Sequence, residues 1–340
     1  MNPRLLAVAL LLVARAAAAG LTEAPRLAAV YDSILDARFD RAADQLKASC
    51  PPAPEPACRG LEAAALWWQI QIAPENHDLD QRLEEASARA ITAAEAWTSR
   101  EPRRGEAWFY LAGAYAPRVQ LHALRGNNLS AARDGNRIRV ALERALALDP
   151  SLTDAHFGLG LYHYYADVAP SALKVLRFLL LLPGGDRQKG LQEILEVRNR
   201  GELLRGEADF QLHLLYLWYE HKTREAMQLL SELDRRYPHN PLFSERLALA
   251  ADDYLHDAAA SAAAWRTLLD RALAGTVYLP QRTEIRARLG LAAKLIALRQ
   301  YDQAIAHATV VANLGAAAPD SARARANELL RLARARQRAN

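Results

Sequence analysis

The chain has 340 residues, 51% of them hydrophobic and 24% charged, with a formal net charge of +4. That apolar content suffices for a substantial core, and after the first residues no run approaches the roughly 20 apolar residues of a membrane-spanning helix. Long stretches rich in Ala, Leu, Arg and Glu favour helix, and no segment shows the polar–apolar alternation of a half-buried strand, so the expected class is all-α.

Residues 1–19 read as a targeting segment. Arg4 supplies a positive start, Leu5 to Val13 an apolar stretch, and Ala17-x-Ala19 before Gly20 a small-residue cleavage site. A retained N-terminal anchor is the alternative. The expected mature protein is soluble and exported, periplasmic in preference to extracellular, with peripheral contact to the envelope compatible with either. Nucleic acid is not an expected partner. The basic balance concentrates at the other end, where the segment from Asp320 onward carries six arginines against Asp320 and Glu328. That segment reads as a solvated capping helix with Leu329, Leu330 and Leu332 inward.

Helical segments follow in pairs. Residues 24–36 and 39–49 form the first pair, and residues 60–72 and 79–98 the second. Between them lie Cys50 and Cys58, the only cysteines, with Pro51, Pro52, Pro54 and Pro56 in the connecting stretch. In an exported chain these two are expected to form a structural disulfide, since further soft ligands and the CxxC redox spacing are both missing. A third pair spans 105–149. A first helix at 156–165 is followed by an irregular stretch at 166–205, with an apolar helix from Pro170 and another at about 187–199. Pairs at 207–236, 242–273 and 283–313 follow, and a final helix at 320–337 closes the series.

Within 106–165 a repeat shows through. Trp108, Leu111, Ala112 and Tyr115 have the spacing Trp-x2-Leu-small-x2-Tyr. His156, Leu159, Gly160 and His163 repeat it, with Ala145 and Asp149-Pro150 between. This pattern resembles the tetratricopeptide repeat, although Trp108 to His156 spans 48 residues against about 34 in the standard unit. Over residues 160–191 the chain also resembles the Iml2 and tetratricopeptide-39 group and its exported bacterial relatives. The residues that carry this are Gly160-Leu161-Tyr162-His163-Tyr164-Tyr165, Pro170-Ser171-Ala172-Leu173-Lys174 and Pro183-Gly184-Gly185-Asp186-Arg187. The resemblance implies a right-handed solenoid of antiparallel helix pairs, one domain over 20–340, acting as a scaffold.

Chemistry-bearing motifs are weak. The Pro183-Gly184-Gly185-Asp186-Arg187 turn could hold an anion, but it lacks the Lys-Ser/Thr pair and preceding strand of a phosphate loop, and Asp186 reads better as a helix cap. His156 and His163 lie two turns apart at repeat core positions, a poor metal spacing. No nucleophile motif occurs, and no enzyme activity, cofactor or metal is expected. First-helix positions that face the concave side of a tetratricopeptide unit are Glu106, Phe109 and Gly113, then Asp154, Phe157, Leu161 and Tyr164, then Gln211, Leu215 and Trp218. Among these Phe109, Phe157, Tyr164, Gln211 and Trp218 are the expected contacts for a protein or peptide partner. The alternative is a small-molecule or lipid-binding protein whose pocket is closed by residues 170–200. A third reading is a scattered enzyme site around Asp186, Arg187 and His163.

Overall fold

A computed structural model describes residues 20–168 and 184–339. The expected targeting segment 1–19 and the apolar helix from Pro170 to Pro183 lie outside the described residues. Fifteen α-helices and one short 3-10 turn, and no strand, occur among them. In chain order they are α1 (Ala24–Leu35), α2 (Phe39–Ser49), α3 (Glu55–Ile72), α4 (Asp80–Arg100), α5 (Gly105–Leu124), α6 (Asn128–Leu148) and α7 (Ala155–Val168). There follow α8 (Arg187–Arg200), α9 (Arg205–Trp218), α10 (Thr223–Arg236), α11 (Pro241–Asp253), α12 (Ala258–Leu273), α13 (Pro280–Ala297), α14 (Tyr301–Ala312) and α15 (Asp320–Arg338).

Local chemistry explains the boundaries. Pro241 opens α11, and the Asn240 side chain accepts from the Leu242 amide at 3.0 Å, taking up one of the donors a helix start leaves free. Asp257 does the same for Ala260 in α12, at 2.9 Å. Between α5 and α6, Gly126 adopts φ 78°, which a residue with a Cβ rarely accepts. The extra length of the third pair is helical: α5 runs 20 residues straight through Pro117, and α6 runs 21.

Consecutive helices pack as pairs, α1 with α2 and so on to α13 with α14, with α15 laid against α13 and α14. The described part of the irregular 166–205 stretch joins this series, because α8 packs along α7. Gly160 and Gly190 make that approach close: a Cβ on either would collide with backbone of the other helix.

The first two pairs also reach helices some 200 residues away. Trp68 of α3 is fully buried, its ring 5.0 Å from Phe210 of α9 and 5.9 Å from Phe243 of α11. At the end of α1, Leu35 O accepts from Asn240 Nδ2 at 2.7 Å, Asp32 accepts from the Tyr237 hydroxyl at 2.5 Å, and Asp36 accepts from the His239 amide at 3.1 Å. Further along, Arg286 of α13 donates to Ile72 O at 3.1 Å. One apolar core therefore runs through α1–α7 and takes in Phe210, Leu233, Tyr237, Leu242 and Phe243.

Cys50 and Cys58 are bonded, tying the end of α2 to the first turn of α3 across a sequence separation of 8. A loop that short restricts the unfolded chain only modestly, so reduction is expected to lower unfolding free energy by about 2 kcal/mol. Urea unfolding with and without reductant checks this, and an unchanged midpoint would contradict it.

Candidate functional site

An apolar hollow, open to solvent beside the exposed Gly113, lies where α3, α5, α7 and α9 face one another. It is a cavity of about 140 Å³. On α3, Ala57, Gly60, Leu61 and Ala64 recur at helical spacing along one face, and on α5 so do Phe109, Gly113, Ala116 and Gln120. Ile138 and Leu142 of α6, Phe157 of α7 and Leu203 and Leu204 before α9 complete the apolar wall. Small residues on α3 and α5 are what leave the space. A Cβ built on Gly60 or Gly113 meets no atom within 4 Å. Gly158 of α7 is different, since a Cβ there would strike Leu142, so it is small for packing.

Polar groups gather on the buried side. Glu207 of α9 is 3% exposed, and its carboxylate accepts from the Tyr31 hydroxyl of α1 at 2.8 Å and from Gln211 Nε2 at 3.4 Å. Burial pushes the Glu207 carboxyl above the usual range, against the opposing pull of those hydrogen bonds. Burial, followed by the Glu207 charge, pushes Tyr31 well up, so the phenol stays protonated. Asp154, at the start of α7, accepts three backbone amides: Glu202 at 2.7 Å, Leu203 at 3.1 Å and Leu204 at 2.7 Å. It thereby fixes the 201–204 connection that forms part of the wall. Two further lining residues, Trp67 and Tyr110, are buried, and neither Trp67 Nε1 nor the Tyr110 hydroxyl has a hydrogen-bond partner among the described residues.

No family model matches the chain, and no curated protein matches it.

The five residues expected to face a partner separate. Phe109 and Phe157 line the cavity, and Gln211 touches it through Glu207. Tyr164 is fully buried among α8 and α9 residues, its hydroxyl donating to Glu220 at 2.5 Å, so it does not face a partner. The cause is α8 and the turn after α9, which cover the face of α7 that the repeat pattern leaves open. Trp218 stands apart from the cavity and is 48% exposed. Of the other groove positions, Gly113 and Asp154 line the cavity. Leu215 is fully buried, and Glu106 accepts from the Thr22 amide at 2.7 Å and from Arg104 at 2.6 Å. Sequence reasoning missed Tyr31, Trp67 and Glu207. The small residues at Ala57, Gly60 and Ala64 were the available signal for α3.

The residues named for a scattered enzyme site have other work. Asp186 caps α8 by accepting the Lys189 amide at 2.9 Å, and Arg187 donates to Glu220 at 2.7 Å. His163 Nδ1 lies 2.7 Å from Glu193 Oε2, with His156 further off at 3.9 Å, so the two histidines meet one carboxylate at the α7–α8 seam. Among the described residues no group of three or more His, Cys, Asp or Glu is arranged to hold a metal, and no helix is long and apolar enough to cross a membrane. The described part of the 170–200 stretch does not line the cavity. Its described lining comes instead from α1, α3, α5, α6, α7 and the start of α9.

Proposed function

We propose that the protein is an exported, non-enzymatic helical binding protein of tetratricopeptide-like solenoid construction, and that its working site is the cavity between α3, α5, α7 and α9. The observation that carries this reading is the pair of glycines in the wall. Glycine inside a helix costs roughly 0.5–1 kcal/mol relative to alanine. Gly60, half-buried, and Gly113, at the exposed rim, bear that cost with no neighbour occupying the space a side chain would take. Helix positions left empty on facing walls, beside buried polar atoms without partners, suit a ligand that is not part of the chain. The Cys50–Cys58 bond supports export, because such bonds persist in oxidising compartments. A protein or peptide partner is the second reading, and the exposed indole of Trp218 is the observation that favours it.

Filling the cavity tests the first reading. Gly113→Leu and Gly60→Leu, one from each wall, place a branched side chain in the space and leave helix propensity improved. Saturation-transfer NMR with small neutral and cationic probes of about six heavy atoms should detect at least one that binds the wild-type protein. Its affinity should fall roughly tenfold or more in both variants, about 1.4 kcal/mol. Absence of binding by every probe, or equal binding by the variants, would overturn the assignment.

A further inference from the structure

Five aromatic rings line the cavity: Tyr31 from α1, Trp67 from α3, Phe109 and Tyr110 from α5, and Phe157 from α7. They come from four different helices, so they border the space from several sides. The charged groups in the lining are both acids, Asp154 and Glu207, and no Lys, Arg or His occurs among the described lining residues. The two acids differ in what they can still do. Asp154 is occupied by three backbone amides. Glu207 Oε1 accepts a long contact from Gln211, at 3.4 Å, and the Trp68 indole also acts on this carboxylate.

Resting on the cavity assignment above, we infer that the ligand is a small organic cation, a methylated ammonium of choline size, held against the rings of Tyr31, Trp67, Phe109, Tyr110 and Phe157 with Glu207 as its counter-charge. The face of an aromatic ring carries negative charge density and attracts a cation, most strongly where water is excluded. A buried cation also needs a compensating anion, or its desolvation opposes entry. Glu207 meets that need once ionised: burial alone favours its neutral form, and a cation beside it stabilises the carboxylate, so binding releases the proton to solvent. At about 140 Å³ the space is near the size, about 150 Å³, of apolar cavities that accept a single six-membered ring. A trimethylammonium head is of that order, and a long acyl chain is not.

Titration calorimetry on the full chain with two probes of one shape decides the matter. Choline carries the charge; 3,3-dimethyl-1-butanol replaces its nitrogen by carbon. The expected result is choline bound roughly tenfold or more tightly than the alcohol, a difference of about 1.4 kcal/mol. Glu207→Gln, which keeps an acceptor for the Tyr31 hydroxyl, should bring the two probes within about twofold of each other, with thermal unfolding showing that the variant is folded. Equal binding of both probes by the wild-type protein, lost in Gly113→Leu, would keep the cavity and overturn the cation. Preference for choline that survives Glu207→Gln would overturn the role given to the carboxylate. Binding of neither probe would overturn the cation, and failure of the wider probe set as well would remove the cavity assignment beneath it.

Discussion

Trp68→Ala is expected to lower unfolding free energy by about 3–5 kcal/mol. Its indole is fully buried between Phe210 and Phe243, which belong to helices that begin 137 and 173 residues further along, at Arg205 and Pro241, than Trp68 itself. Truncation leaves a void where three helices from distant segments meet, and the polar bonds of Asp32, Leu35 and Asp36 hold α1 against the 237–240 turn too firmly for it to collapse inward. Urea unfolding followed by circular dichroism measures this. A loss below about 1 kcal/mol would mean that the distant contact contributes little. The neighbouring Trp67 lines the cavity and is slightly less buried, so Trp67→Ala should be milder.

His213 makes the protein sensitive to acid. Its ring is fully buried beside Phe210, with neither nitrogen finding a side-chain partner among the described residues. Burial pushes its pKa down to about 3; a backbone hydrogen bond at Phe210 opposes this, and the positive charge of Arg246 adds to it. The unfolded chain takes up a proton near pH 6.5, whereas the folded chain does not until about pH 3. Nothing is lost above pH 6.5. Below it the unfolded state binds more protons, and stability falls by about 1.4 kcal/mol per pH unit down to the folded value. At pH 5 the loss is about 2 kcal/mol, and across the whole window about 5 kcal/mol. His213→Leu should unfold like the wild type at pH 7.5 and exceed it by about 2 kcal/mol at pH 5. Parallel urea midpoints for the two proteins at both pH values would contradict this.

How much of this is legible in the sequence varies with distance along the chain. Helix positions are legible because their causes are local: Pro241 with the Asn240 cap, the Asp257 cap, and the apolar spacing of Ala226, Leu229, Leu230 and Leu233 along one side of α10. Part of the site is legible for the same reason, since Phe109, Gly113, Asp154 and Phe157 follow from position within a repeat. Tyr31, Trp67 and Glu207 are not, because a repeat pattern speaks only of neighbouring units, and these residues meet through contacts between the first pairs and α9. Tyr164 shows the opposite failure. Its position in the pattern is that of a groove residue, yet Glu220 and α8 cover it.

The bonds from α1 to the 237–240 turn span 203 to 205 positions in sequence. An array held only by neighbours could mature unit by unit as it is made. Here the first pair has no partner for Asp32, Leu35 or Asp36 until the turn has emerged. At roughly 5–20 residues per second that is a wait on the order of 10–40 s. During it the apolar side of α1 and the indole of Trp68 have nothing distant to pack on, so the early chain is the stretch a holding chaperone would meet.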